Sequence, residues 1–319
     1  MKIKKIASLL AFILGASALA GCTGDQEATF NNYWEKDVLA PQTTLTETLV
    51  YNVTFEKEAG LNQVNYDLAY SNGTYTTVLN KKSDGTYEYT TSLTIDVTFT
   101  PDGKEPLVKT DTLTSYVHFM EANDELTPIS STKTMHCHTP RNIESPANAS
   151  DCYVEFYYEL STAYADKKGV CTRVDKLENP EKTDVLNFNM GKKLTYLDNE
   201  QLILALRGTA DKTTSIAVNA YSPFDEAVQK VSASFTTKDE ESIKLPISEN
   251  GAEATEKTYQ YREVTMKLGK SPSGVTQTVW LAYGNQTRNR NVMLRMKAPL
   301  SYAFGYLIYQ LQSITRVES

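Results

Sequence analysis

The chain has 319 residues, with 32 basic and 39 acidic side chains, a formal net charge of −7 and 40% hydrophobic residues, among them 20 tyrosines. That composition excludes a disordered stalk, and the length allows one large domain or two smaller ones, with a substantial core. An acidic chain without a basic stripe is not built to bind nucleic acid.

Lys2, Lys4 and Lys5 precede an uncharged run from Ile6 to about Leu19, rich in Leu, Ile, Phe and Ala. This is the polarity of a secretory leader, too short for an ordinary membrane span. It ends in Leu19-Ala20-Gly21-Cys22, which resembles the lipobox of bacterial lipoproteins. The resemblance implies cleavage between Gly21 and Cys22 and a diacylglyceryl group on the Cys22 sulfur, with palmitate-like acyl chains. Cysteine suits that step because its thiolate is the nucleophile that takes the lipid. The alternative is a plain signal peptide whose cleavage site precedes a cysteine. Each buried methylene contributes about 0.8 kcal/mol, so stable anchoring needs more than one acyl chain. Loss of residues 1–21 takes three lysines from the 32 basic groups, leaving 29 against 39 acids, or −10, in 298 residues. Such a surface is repelled by anionic headgroups, so the membrane partner is reached through the lipid and not through a polybasic face. The expected location is the extracytoplasmic face of a bacterial membrane.

Residues 22–44 are polar and read as a tether carrying the acylated Cys22, interrupted by Tyr33-Trp34. A β-domain is expected over 45–315. At 45–56, Leu49, Tyr51, Val53 and Phe55 alternate with polar residues, and Val64, Tyr66, Leu68 and Tyr70 do the same at 64–70. Ser71-Asn72-Gly73-Thr74 predicts a hairpin turn into a strand at 75–79. Strand 87–99 has the cleanest alternation, with Tyr87, Tyr89, Leu93, Ile95, Val97 and Phe99 on one face. Further strands are predicted near 108–119 and 129–137, then a polar loop at 138–151. A hairpin over 152–177 turns at Asp166-Lys167-Lys168-Gly169, and a less structured link around Pro180 follows. One helix is expected at 199–207. Asp198 is its N-cap, Gln201 completes a capping box, Leu202, Ile203, Leu204 and Leu206 are its apolar residues, and Gly208 ends it. Strands resume at about 215–221, 228–236, 258–268, 275–283, 291–297 and 304–315, with an acidic exposed loop at 239–256. The last strand is apolar on both faces, so both faces should be covered.

The fold class is therefore mainly β: two antiparallel meanders, 45–177 and 215–315, form a curved sheet or half-barrel with one short helix packed against it. The order from Leu126-Thr127-Pro128 through the Asp198–Arg207 helix and Trp280-Leu281 to Gly305-Tyr306-Leu307-Ile308-Tyr309-Gln310-Leu311 is similar to a group of uncharacterised exported bacterial β-domains. These resemble the half-barrels of Lol-type lipoprotein carriers. The resemblance implies a fold and little chemistry.

Besides Cys22 there are Cys137, Cys152 and Cys171, so at most one internal disulfide can form. In the 152–177 hairpin Cys171 faces about position 164, roughly 40 Å from Cys152 at about 3.3 Å per residue, whereas a bridge needs Cα atoms about 5–6 Å apart. Strands 129–137 and 152–160 could meet at the ends of one loop, which predicts Cys137–Cys152. The alternative is three reduced, buried thiols. His136-Cys137-His138 would point both imidazoles to one strand face. A zinc site needs three or four ligands, and His118 is the remaining histidine. Two surface histidines at a loop edge are the expected arrangement, and no metal or other cofactor is assigned. Arg288-Asn289-Arg290 reads as a solvated hairpin tip, the alternative being a contact for an acidic partner. No Gly-x-Ser-x-Gly elbow, phosphate loop or activated cysteine marks an enzyme. The aromatic faces, with Tyr153, Phe156, Tyr157, Tyr158, Tyr306 and Tyr309 added, suggest a non-catalytic binding module or carrier whose concave sheet takes a lipid or acyl ligand. The alternative is a structural or interaction protein of the envelope in which the same rings form a closed core.

Overall fold

The structure is a computed structural model that describes residues 28–30, 45–57, 66–141, 143–191, 193–223, 226–268, 276–284, 289–300 and 304–318. The expected leader and lipidation site, including Gly21 and Cys22, and the Tyr33-Trp34 pair lie outside the described residues.

Among the described residues, fifteen strands form one sheet. They are β1 (Leu45–Lys57), β2 (Tyr66–Lys81), β3 (Thr86–Pro101), β4 (Leu107–Ala122), β5 (Glu125–Pro140), β6 (Tyr153–Ala165), β7 (Lys168–Asp175), β8 (Lys182–Asn189), β9 (Tyr196–Asp198), β10 (Ser215–Ser222), β11 (Ala227–Glu249), β12 (Thr255–Leu268), β13 (Gln277–Tyr283), β14 (Met293–Pro299) and β15 (Gly305–Glu318). The order is β8-β7-β6-β5-β4-β3-β2-β1-β15-β14-β13-β12-β11-β10-β9. The two meanders are thus one continuous sheet, joined where β15 runs antiparallel to β1. β15 also pairs in parallel with the end of β11, at Ser248–Ser313 and Glu249–Ile314, which closes β11 to β15 into a five-stranded barrel. The far ends of the sheet meet through side chains: Leu160, Cys171, Met190, Tyr196 and Tyr221 form a second small core, with Phe188 stacked on Tyr221 at 3.6 Å.

Three segments depart from the sequence reading. Asn72-Gly73 is no hairpin; β2 runs straight through it. The two residues oppose the single Ile95 of β3, a β-bulge in which Asn72 takes φ +53°. Gly73 lies so close to β1 that a Cβ there would sit 2.4 Å from the Val53 carbonyl oxygen. The link after Pro180 contains β8, an edge strand. The loop expected at 239–256 is mostly strand, because Leu245 and Ile247 alternate inward along β11 while the acidic run falls at a break in register between Lys238 and Ser242.

The helix α1 (Leu202–Arg207) forms as expected, preceded by a 3₁₀ turn at Asn199–Gln201. The Asp198 carboxylate accepts from the Glu200 amide at 2.9 Å, and Gln201 Oε1 accepts from the Asp198 amide at 2.9 Å. All six residues of α1 are buried, and Leu202 to Leu206 share one core with Tyr51, Tyr75, Leu79, Tyr89 and Leu93. Two ion pairs hold the 3₁₀ turn and α1 across the inner face of the sheet: Glu200 of the turn meets Lys133 of β5 at 2.5 Å, and Arg207 at the end of α1 meets Glu47 of β1 at 2.7 Å. Among the described residues, no helix is long and apolar enough to cross a membrane.

Candidate functional site

Strand alternation sends Leu49, Tyr51 and Val53 of β1, and Tyr87, Tyr89, Leu93, Ile95, Val97 and Phe99 of β3, to the inner face, as the sequence predicts. All are buried, and so are Tyr75 and Tyr309. The rings pack on one another: Tyr51 on Tyr75 at 5.7 Å, Tyr75 edge-on to Tyr309 at 5.4 Å, and Tyr87 stacked on Phe119 at 5.2 Å. Burial raises the phenols of Tyr51, Tyr75 and Tyr309 well above their ordinary range. The concavity expected to hold a ligand here is filled by α1 and by the rings themselves. Beside the Lys133–Glu200 pair, a cleft edged by Leu160, Asp198 and Pro223 encloses about 10 Å³, room for about one water molecule. Tyr153, Phe156, Tyr157, Tyr158 and Tyr306 are only partly buried.

A buried ionic network ties α1 to the junction between the meanders. Arg207 grips Glu47 with both terminal nitrogens, at 2.7 and 3.2 Å, and donates from Nε to the Asn291 carbonyl at 3.2 Å. Arg316 of β15 reaches the same carboxylate at 2.9 Å. Burial raises the Glu47 pKa, but the two guanidiniums outweigh it and hold the carboxyl below its ordinary value. Asn289, expected at a solvated tip, is buried: its amide donates to Glu249 at 2.8 Å and accepts from Arg316 at 2.8 Å. Arg290 is paired with Asp211.

The three cysteines of the domain are separate free thiols, all buried. The expected Cys137–Cys152 bridge fails on register. β5 and β6 pair with Cys137 opposite Phe156, four positions further along than a 137–152 pairing requires, because β5 runs on to Pro140 and a 3₁₀ turn takes up Ala149–Cys152. Four positions are about 13 Å of strand, beyond the reach of a disulfide. Cys171 faces Thr162. Burial pushes the Cys137 and Cys171 thiols up and the Cys152 thiol up to about 11.

The same register builds a polar cluster. His138 lies directly across from Glu155, and His136 from Tyr157. His136 Nε2 is 2.7 Å from Glu155 Oε1, and His138 Nε2 is 3.8 Å from the same oxygen. His138 is buried, not a surface residue. Its ring Nδ1 and its amide both lie 2.8 Å from Asp111 Oδ1. Asp111 is fully buried, and its other oxygen, Oδ2, is without a hydrogen bond. Burial raises the Asp111 pKa against the opposing pull of His138. Tyr157 stacks on His136 at 5.0 Å and Tyr153 stands edge-on to His138 at 5.1 Å. His118 takes no part: it pairs with Ser130, six positions down β5 from His136, or about 20 Å. Glu155 and Asp111 come from the neighbouring strands, so only the strand register could have revealed them.

No protein-family profile and no curated protein matches the chain. A solved structure similar to it is a crystal structure of a beta-barrel-like protein of domain of unknown function DUF1849 from Brucella abortus. The two share 11% identity over 86% of this chain and 99% of that chain, with a TM-score of 0.49.

Proposed function

We propose that the chain is an exported bacterial lipoprotein, held by acyl chains on Cys22 to the extracytoplasmic face of a membrane. On this reading its β-domain is a non-catalytic structural or interaction module of the envelope. The leader pattern supports the anchor: three lysines, an apolar run, and Leu19-Ala20-Gly21-Cys22. The observation that favours a scaffold over a lipid carrier is the fully buried α1, clamped together with its preceding turn across the inner face. A carrier needs that face free for an acyl chain. Burial raises the thiols of Cys137, Cys152 and Cys171, which disfavours cysteine nucleophile chemistry.

Expression of the full chain in a bacterium fed an alkyne fatty acid tests the anchor. Label should enter the protein, be lost in Cys22→Ser, and the wild type should sediment with membranes. A released, unlabelled chain with a non-acylated N-terminus would overturn the reading.

A further inference from the structure

The geometry points to a divalent metal site, for an ion of the zinc class, made by His136 Nε2, His138 Nε2 and a carboxylate oxygen of Glu155. The three ligand atoms lie within 4.8 Å of one another. Tetrahedral zinc with bonds of about 2.0–2.1 Å sets its ligand atoms about 3.3 Å apart. The contacts of 2.7 and 3.8 Å to Glu155 bracket that spacing, so rotation of the long Glu155 side chain and of the His136 ring brings the set to bonding distance. Side chains of His136 and Glu155 are 36% and 38% exposed, which gives an ion a way in. Two imidazoles and one carboxylate are ligands zinc accepts, and three protein ligands leave one position for water.

Asp111 is the observation that singles this cluster out from a chance pairing of histidines. A buried carboxylate is costly without a cationic partner. Here its neighbours include the Nδ1 edge and the amide of His138, while Oδ2 has no hydrogen bond. That contact turns Nδ1 to Asp111 and leaves Nε2 as the nitrogen facing Glu155. A carboxylate behind a ligating imidazole is the usual outer shell of a metal site, where it orients the ring and raises its basicity. Asp111 is thus a positioning residue. Binding replaces the His136–Glu155 hydrogen bond with one bond from each group to the ion, the proton between them passing to His136 Nδ1 so that the ring stays neutral.

The test is titration of the purified, metal-stripped full chain with Zn²⁺ against a chromophoric chelator, alongside Co²⁺ binding read by its visible absorption. Expected is one ion per chain and a Co²⁺ band of tetrahedral intensity. His136→Asn, a half-exposed change that should leave the circular dichroism intact, is expected to weaken Zn²⁺ binding by more than about 100-fold. Asp111→Asn should weaken it by about 10–100-fold, the range for loss of an outer-shell partner. Failure of the folded wild type to bind one equivalent would overturn the assignment. So would affinity that His136→Asn and Glu155→Gln leave unchanged, which would place the ion elsewhere on the chain.

Discussion

Replacing Glu47 with Gln removes the single carboxylate shared by Arg207 and Arg316 while keeping its shape. Glu47 and Arg207 are 2% and 3% exposed, so the change strands a guanidinium away from water. Breaking a buried pair from one side costs about 3–5 kcal/mol, a large part of the 5–15 kcal/mol typical of whole domains. Urea unfolding of the 23–319 fragment, followed by circular dichroism, should therefore shift its midpoint down by about 1 M or more for a slope near 3 kcal/mol/M. The pH dependence follows from the lowered Glu47 pKa. A carboxyl whose folded pKa lies below its unfolded value of 4.5 contributes stability that is complete above pH 4.5 and is lost as pH falls through the folded value. Wild type should lose stability below pH 4.5 more steeply than Glu47→Gln, and the two should converge in acid. Arg207→Met added to Glu47→Gln should cost less than the sum of the single changes, because the more deeply buried of the two guanidiniums left by Glu47 is gone. A loss below about 1 kcal/mol for Glu47→Gln, or parallel pH curves, would refute the view that this network clamps α1 to the sheet.

Other perturbations test the packing. Leu204, fully buried in α1, should cost about 2–5 kcal/mol on truncation to Ala, measured by the same urea titration. Gly305 begins β15 at φ +141°, with the Glu56 carbonyl oxygen 2.3 Å from where a Cβ would stand. Gly305→Ala should lower stability by at least about 1–3 kcal/mol and loosen the β1–β15 junction, seen as faster amide exchange there. The thiols of Cys137, Cys152 and Cys171 should resist a thiol reagent in the native fragment and all react in denaturant, without prior reduction. A fragment mass two hydrogens short would contradict this.

The sequence reading worked where alternation was strong. β3 was legible because its inward residues are apolar at every second position but Thr91, and α1 because Asp198 and Gln201 cap an apolar run. The Asn72-Gly73 pair misled because a turn-forming dipeptide also fits a bulge, and Val53 packing against Gly73 decides between them. β8 carries few apolar residues because it is a sheet edge, and the acidic register break in β11 hid the Leu245-Ile247 alternation behind it. The His136–His138–Glu155 cluster depended on a register that was read four positions out, which produced a disulfide on paper and concealed Glu155. The filling of the inner face could not be read from rings alone. It required knowing that Arg207, at the end of α1, and Glu200, in the turn before it, find partners on β1 and β5.

The proposed scaffold reading holds that the β-domain carries its own filling in place of an apolar ligand. The most direct measurement is a native mass spectrum of the 23–319 fragment, purified from a bacterial periplasm without detergent. The scaffold reading predicts the bare chain mass, unchanged on denaturation apart from any metal ion. A stoichiometric adduct in the lipid mass range, lost on denaturation, would contradict it and show that α1 yields the inner face to an acyl chain.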